Sequence, residues 1–225
     1  KYEVSKEGYT TVYGEATVTI TPRQVKLTSE GGTKPYDGTA LTKPAVTVSG
    51  NGFVEGEVSD IKATGSVINV SESEVINRIT YKTSDKFNPD NYTITKDEGK
   101  LSITPFTEKV TVTIKGHEAT ATYDGDPHSV EGYEVTNISN KLYKENEIGF
   151  TGEAKAEGTA AGTYQMNLKE DQFSNISQNF TNVEFVVEDG SLTINPKSIT
   201  PDGPNTPEDE KTGITVTKPS DSKYD

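Results

Sequence analysis

An alternation of apolar and polar residues that occurs twice is the strongest pattern in this chain. Residues 91–105 place apolar side chains at every second position, and the same arrangement returns without a gap at residues 182–196. In each copy two alternating runs flank an acidic turn that ends in Gly99 or Gly190, and a proline follows the second run. Alternation at period two indicates strands, and a short turn ending in glycine is typical of a chain reversal at positive φ. The pattern therefore predicts a β-hairpin in each copy, ended by a proline that cannot donate to a sheet ladder.

A second motif, Tyr-Asp-Gly, sets the length of the repeating unit. It occupies Tyr36, Asp37 and Gly38 and, 87 positions later, Tyr123, Asp124 and Gly125. The dipeptide Thr-Gly recurs with the same shift, and the two predicted hairpins lie 91 positions apart. Several motifs in the same order predict tandem modules of roughly 80 to 95 residues, a length that suits one independent domain each.

These motifs divide the chain into five parts. Residues 1–22 contain an alternating run that ends in Pro22, and three prolines with an acidic run follow Pro196 before Ile214 starts a new alternation. The first of these resembles the end of a module, the second a solvated linker and the third the start of a module. The predicted parts are the closing hairpin of a preceding repeat (1–23), a first full repeat (24–105), a second full repeat (106–196), a linker (197–213) and the truncated start of a third repeat (214–225). We therefore expect a piece of a longer protein.

The alternating segments predict an all-β fold. Each module contains about six or seven predicted strands, and no segment of helical period reaches ten residues. Only 30% of the residues are hydrophobic, which suits the thin core of two small sheets. We expect tandem immunoglobulin-like β-sandwiches arranged as an elongated rod, with a short first junction that restricts pivoting. A β-grasp-like sheet is the alternative, but it requires a helix that the pattern lacks.

Charge and cysteine content exclude several classes of function. The formal charge is -13, from 22 basic and 35 acidic residues. An excess of acids disfavours nucleic acid and anionic membrane surfaces, because both are bound through Lys and Arg. The chain has no cysteine, which excludes disulfides, thiol catalysis and cysteine-ligated metal.

Taken together, the motifs resemble a known group of repeats. An opening strand, Tyr-Asp-Gly, a mid-module Thr-Gly, the Gly-Thr-Tyr run at 162–164 and a closing Gly-x-Leu-x-Ile-x-Pro are similar to the tandem Tyr-Asp-Gly ("doggy bag" or MBG-like) modules of large cell-surface proteins of Gram-positive bacteria. The first module has Arg78-Ile-Thr-Tyr81 where the second has Gly-Thr-Tyr, so the two are divergent copies. The resemblance implies an extracellular, wall-attached protein in which such modules form a stalk.

The Tyr-Asp-Gly motifs are the first candidates for a site. In the structural interpretation, Asp37 and Asp124 accept a backbone hydrogen bond, the glycine takes positive φ and the tyrosine packs on the sheet edge or on a neighbouring module. In the functional interpretation they form a sugar or calcium site, with the tyrosine stacking on the ligand. The sequence lacks the run of alternating carboxylates of a calcium loop, which favours the structural interpretation.

Catalytic and metal chemistry find little support in the sequence. His117 and His128 are the two histidines, and neither lies in a zinc-binding spacing. There is no Gly-x-Ser-x-Gly motif and no phosphate-binding loop, while the many carboxylates are uninformative about glycoside hydrolysis. We expect no enzyme activity, no cofactor and no metal.

A self-formed amide between a lysine and an asparagine is a further hypothesis, because such a bond would suit a stalk without disulfides. Lys26 and Lys109 on or beside first strands and Asn195 on a last strand are the candidates. Neither lysine recurs with a matched asparagine in both modules.

Two functions of different classes remain after this reasoning. The first is a structural stalk that holds distal domains away from the cell wall, with neighbouring repeats of the same chain as partners. The second is adhesion, in which exposed tyrosines bind host glycan or mucin. The tyrosines considered for that role are Tyr36, Tyr123, Tyr133 and Tyr164. Repetition and the lack of a convergent polar site favour the stalk.

Overall fold

A computed structural model describes residues 1–198, which form two compact all-β units. The first unit ends at Phe106 and the second begins at Thr107. Helical structure within the described residues is limited to four 3₁₀ turns of three residues each: Val70–Glu72, Pro89–Asn91, Glu145–Glu147 and Glu170–Gln172. The all-β, sandwich-like class is therefore confirmed, and the described chain contains no helix of the kind that a β-grasp sheet requires. The predicted third repeat and nearly all of the predicted linker lie outside the described residues.

Twelve strands belong to the first unit, more than the sequence pattern predicted, because several are only two to four residues long. They are β1 (Tyr2–Val4), β2 (Val12–Gly14), β3 (Arg23–Ser29), β4 (Gly32–Pro35), β5 (Leu41–Thr42), β6 (Val46–Gly50), β7 (Val58–Ala63), β8 (Ser66–Val67), β9 (Val75–Ile76), β10 (Ile79–Thr83), β11 (Tyr92–Asp97) and β12 (Lys100–Thr104).

Strands β3 to β12 form four small sheets. The two larger sheets have the orders β11-β3-β6 and β4-β12-β9, and two-stranded ladders join β7 to β10 and β5 to β8. The pairs β3–β11 and β4–β12 are parallel, and the others are antiparallel. The opening strands of the unit therefore lie beside its closing strands.

The second unit contains ten strands with the same pairing. They are β13 (Val110–Gly116), β14 (Glu118–Thr122), β15 (His128–Glu131), β16 (Tyr133–Ile138), β17 (Ile148–Phe150), β18 (Lys155–Gly158), β19 (Gly162–Gln165), β20 (Phe173–Asn175), β21 (Val183–Glu188) and β22 (Ser191–Asn195). Its sheets are β21-β13-β16, β14-β22-β19, β17-β20 and β15-β18, each the counterpart of a sheet in the first unit. The repeat predicted from the sequence is thus also a repeat of strand topology.

The predicted closing hairpins are wrong. Strands β11 and β12 do not pair with each other; each pairs in parallel with an opening strand instead. The register is continuous across the break, since Tyr92 lies opposite Arg23 and Leu101 opposite Gly32, and the same holds for β21–β22 against β13–β14. Alternation identifies strands but not their neighbours, and a short acidic turn with glycine resembles a hairpin loop.

The glycine of each closing turn serves close approach rather than chain reversal. Gly99 and Gly190 do not have positive φ. A Cβ on Gly99 would lie 2.3 Å from the backbone nitrogen of Gly31, and a Cβ on Gly116 would lie 2.4 Å from that of Gly190. Only residues without a Cβ allow the two backbones to pass at this distance.

Two separate clusters of apolar side chains fill the first unit. Val25, Leu27, Ile79 and Tyr92 form one cluster, with Phe53 and Phe87 among the aromatic rings packed against it. The second cluster consists of Val67, Leu101 and Ile103, and it includes Tyr36 at its margin. The buried positions are odd-numbered in β3 and even-numbered in β11, whereas β12 buries odd-numbered positions. The strands before Gly31 and Gly99 therefore bury their side chains in the first cluster, and β12, which follows Gly99, buries its side chains in the second.

The first 22 residues differ from the predicted closing hairpin. Strand β1 pairs with β2, so that Tyr2 lies opposite Gly14 and Val4 opposite Val12. The alternating run at residues 16–22, expected to be one arm of that hairpin, is not in a sheet. Its apolar side chains Val18 and Ile20 are 84% and 86% exposed.

Candidate functional site

The Tyr-Asp-Gly motif of the first unit forms a hydrogen-bonded turn directly after β4. The Tyr36 N–H donates to the Thr104 carbonyl at 2.8 Å, which ties the turn to the end of β12. One carboxylate oxygen of Asp37, Oδ1, accepts bonds from the Thr39 N–H at 2.8 Å and from the Lys34 ammonium at 2.6 Å. Gly38 has a φ of 76°, a value that glycine adopts without strain.

The second unit builds the same turn with a histidine in place of the lysine. The Tyr123 N–H donates to the Asn195 carbonyl at 2.8 Å, and the Asp126 N–H donates to Asp124 Oδ1 at 2.9 Å. Gly125 has a φ of 93°. His128 Nε2 lies 3.0 Å from Asp124 Oδ1, at the place that the ammonium of Lys34 takes in the first unit. Each aspartate is thus a turn residue that accepts a backbone bond.

Hydrogen bonds stabilise the charged form of both aspartates. The bond from Lys34, followed by the bonds from Thr39, lowers the pKa of Asp37 to about 2. The pKa of Asp124 is also lowered, first by the Asp126 N–H and then by His128. The two carboxyls remain acceptors at neutral pH and are not candidates for a general acid.

We predict that a carboxyl-detected NMR titration of the full chain places the pKa of Asp37 near 2. A folded-state pKa below the unfolded value, about 3.9, means that the contribution of Asp37 to stability is complete above that value. It is lost as the pH falls from there through about 2. The substitution Lys34→Ala should raise the Asp37 pKa and leave that of Asp124 unchanged. An Asp37 that titrates at its ordinary value in the unsubstituted chain would contradict the geometry of the turn.

The four candidate tyrosines have different environments. Tyr36 is half-buried against the cluster of Leu101, and Tyr123 is 43% exposed. Tyr133 packs against Phe150 and Phe173 at ring distances of 5.0 and 5.1 Å, so its ring is half-buried among aromatic side chains. Tyr164 lies against Gly158 and donates to the Ala160 carbonyl at 3.0 Å. These positions leave Tyr123 as the most accessible ring of the four.

The two histidines do not lie in a shared site. His117 Nδ1 is 2.7 Å from the Glu131 carbonyl oxygen, and His128 contacts Asp124. Within residues 1–198 no three His, Asp or Glu side chains are grouped closely enough to hold a metal ion.

The amide hypothesis receives no support from the structure. Lys26 pairs with Asp97 at 3.1 Å and Lys109 with Glu184 at 2.6 Å, and all four side chains are about half exposed. Asn195 is exposed at the end of β22, where it lies opposite Thr122. A spontaneous amide needs a buried lysine beside its asparagine and an acid, and each lysine has a surface carboxylate partner instead.

Among the shallow depressions on the surface of the described residues are the following two. One, of about 390 Å³, is lined by residues 168–171 and Val187. The other, of about 170 Å³, lies where a β-bulge sets Asp60, at a φ of 51°, beside Lys82 at 2.7 Å. Sequence reasoning found neither depression. The second lies at a bulge, and a bulge leaves no mark in an alternation of side chains along the sequence.

Sequence reasoning also missed a buried polar residue, Asn77. Its amide nitrogen donates to the carbonyls of Glu30 and Lys43 at 2.9 and 2.8 Å, and its amide oxygen accepts from the Gly65 N–H at 3.0 Å. Its backbone N–H donates to Gly99 at 2.8 Å and its carbonyl accepts from the Ser29 hydroxyl at 2.7 Å. The residue is fully buried. Through these bonds Asn77 connects the two backbones that meet at Gly31 and Gly99 to Gly65 of the Thr-Gly motif. This is a structural role.

The comparisons with known proteins concern the second unit. Residues 109–196 match the family model of the MBG domain. No curated protein and no solved structure matches the chain. The match agrees with the predicted resemblance to MBG-like repeats, and it covers all ten strands of the second unit. In the described part of the chain no helix is long and apolar enough to cross a bilayer.

Proposed function

We propose that this chain is a structural stalk of a bacterial cell-surface protein, in which MBG-like units act as spacers. The observation that carries the proposal is the repetition of one ten-strand topology in two successive units, one of which matches the MBG domain. A repeated fold that is stabilised within each unit and joined to its neighbours gives length in proportion to the number of copies. The units serve to hold distal domains away from the wall of a Gram-positive cell.

The chemistry of the surface supports a passive role. Both Tyr-Asp-Gly turns use their aspartates for internal hydrogen bonds, and each of the two depressions is open and has three charged side chains in its lining. An acidic surface keeps such repeats soluble and apart from nucleic acid. The partners of each unit are then neighbouring repeats of the same chain, and the units have no catalytic activity or cofactor.

Adhesion is the second candidate, and the exposed ring of Tyr123 is the observation that favours it. An aromatic ring beside Asp124 and the imidazole of His128 provides a stacking surface with polar neighbours, which is the chemistry that binds a host glycan or mucin. The equivalent Tyr36 is half-buried, so this site would belong to the second unit.

We predict that small-angle X-ray scattering of the full chain gives a radius of gyration well above about 17 Å, the value for a compact protein of this length. A variant ending at Ser198 separates the contribution of residues 199–225. A radius near the compact value in both proteins would contradict the spacer proposal.

A panel of immobilised mucins and glycans tests the alternative, adhesion. Saturable binding that Tyr123→Ala abolishes and Tyr133→Phe retains would establish adhesion instead.

A further inference from the structure

The first twenty residues carry an unusual concentration of exposed apolar side chains. Seven large apolar residues in this segment are more than half exposed: Tyr2, Val4, Tyr9, Val12, Tyr13, Val18 and Ile20. Elsewhere in the described chain such residues are scattered singly. A contiguous exposed apolar segment marks a surface that another structure covers.

Residues 17–21 have the sequence of a closing strand. They read Thr-Val-Thr-Ile-Thr before Pro22, β12 reads Lys-Leu-Ser-Ile-Thr before Pro105, and β22 reads Ser-Leu-Thr-Ile-Asn before Pro196. Aligned on the proline, Val18 corresponds to Leu101 and Leu192, and Ile20 corresponds to Ile103 and Ile194.

The burial of these matched positions is opposite. Leu101 and Leu192 are 0% and 2% exposed, and Ile103 and Ile194 are 6% and 1% exposed. Val18 and Ile20 are 84% and 86% exposed. The same alternation is thus buried wherever strands flank it on both sides, and it is exposed where the structure supplies none.

We infer that residues 17–21 form a strand that completes a sandwich of this same ten-strand type, one that lacks its own closing strand. The partner is fixed by the way β12 and β22 are held. Each lies between a parallel opening strand and a short antiparallel strand, in the orders β4-β12-β9 and β14-β22-β19. The segment takes the central place of such a sheet and buries Val18 and Ile20 in its core.

One hydrogen bond in the completed sheet follows from the two units. The tyrosine N–H of each Tyr-Asp-Gly motif donates to the carbonyl of the last strand residue, Thr104 or Asn195. In the proposed assembly the corresponding acceptor is the carbonyl of Thr21. The Tyr-Asp-Gly turn then recognises the end of the inserted strand, whichever chain supplies it. This inference does not depend on the spacer role.

The test uses the full chain and, as the probe, residues 107–190, the second unit without β22. We predict a one-to-one complex by isothermal titration calorimetry. Replacing Val18 and Ile20 together by aspartate should weaken it at least about tenfold, because both side chains enter the core. The matched control replaces Thr17 and Thr19 by aspartate, which adds the same charge on the opposite face and should change the affinity by less than about threefold.

Either of two results overturns the inference: equal loss in both double variants, or binding that survives the change at Val18 and Ile20. Because all four positions are exposed and lie outside every strand of the first unit, both variants should melt as the unsubstituted chain does.

A single-chain version covers the case in which the probe does not bind. It joins Gly190 of the probe directly to Thr17 of the full chain, in the register of β22. Hydrogen exchange should then slow at the Val18 and Ile20 amides by at least about tenfold relative to the unjoined chain. Exchange at the unjoined rate would reject the strand role.

Discussion

Replacing Gly99 by alanine is expected to destabilise the first unit by about 3 kcal/mol or more, which is the upper range for overpacking in a rigid interior. The added Cβ would lie 2.3 Å from the Gly31 nitrogen and 2.4 Å from the Glu30 carbonyl carbon. Both atoms belong to the backbone between β3 and β4, so no side-chain rotation relieves the contact. Denaturant unfolding of the full chain, followed by hydrogen exchange at the Val25 and Leu27 amides, measures the loss for this unit.

Gly32→Ala provides the matched control, one residue after the close approach of Gly31 to Gly99. Its Cβ would meet only the Lys43 Cε, at 3.5 Å, and Gly32 is not among the glycines with positive φ. Alanine in a strand also costs less backbone entropy than glycine, so this variant should change the stability by less than about 1 kcal/mol. Equal stability of the two variants would show that the backbones do not approach closely at Gly99.

Replacing Asn77 by leucine is the second large effect, with an expected loss of about 3 to 5 kcal/mol. The substitution removes three side-chain hydrogen bonds in a fully buried site. It leaves the Gly65 N–H and the carbonyls of Glu30 and Lys43 without those partners, and each unpaired buried group costs about 1 to 3 kcal/mol. Leucine has the same number of side-chain heavy atoms and a larger volume, so the substitution opens no cavity.

Asn88→Leu is the corresponding control at an exposed asparagine of the same unit. The Asn88 side chain accepts a bond from the Asp90 N–H at 3.1 Å, at the start of a 3₁₀ turn. Its loss should cost about 1 kcal/mol, the usual value of a cap. Equal melting temperatures for the Asn77 and Asn88 variants would mean that the buried network contributes little.

The sequence predicted where the repeated structure lies better than how it is connected. The shared shift of Tyr-Asp-Gly and Thr-Gly identified two copies, and the structure gives both motifs the same bonds in each copy. Thr64 and Thr151 each donate their N–H to a carbonyl at 2.9 Å, on Arg78 and on Gln172. Such motifs are readable because turns and close contacts restrict residue type at a fixed position.

The candidate tyrosines could not be ranked from the sequence. Tyr133 and Tyr123 are the same residue type ten positions apart, yet one packs between two phenylalanine rings and the other is 43% exposed. Exposure depends on which strands flank a residue, and this is a non-local property. The Asp60 bulge and the buried Asn77 escaped notice for the same reason.

By itself, the sequence determined the class of this protein: all-β, repeated, acidic and free of disulfides. These properties follow from local alternation, from spacing and from composition, which need no knowledge of contacts. The tertiary structure decided that the closing strands pair in parallel with the opening strands. It also decided that Gly99 and Gly190 lie where the backbones of the opening and closing segments approach each other closely. A strand carries the same alternation whichever neighbour it takes, and only the packing of the whole unit selects that neighbour.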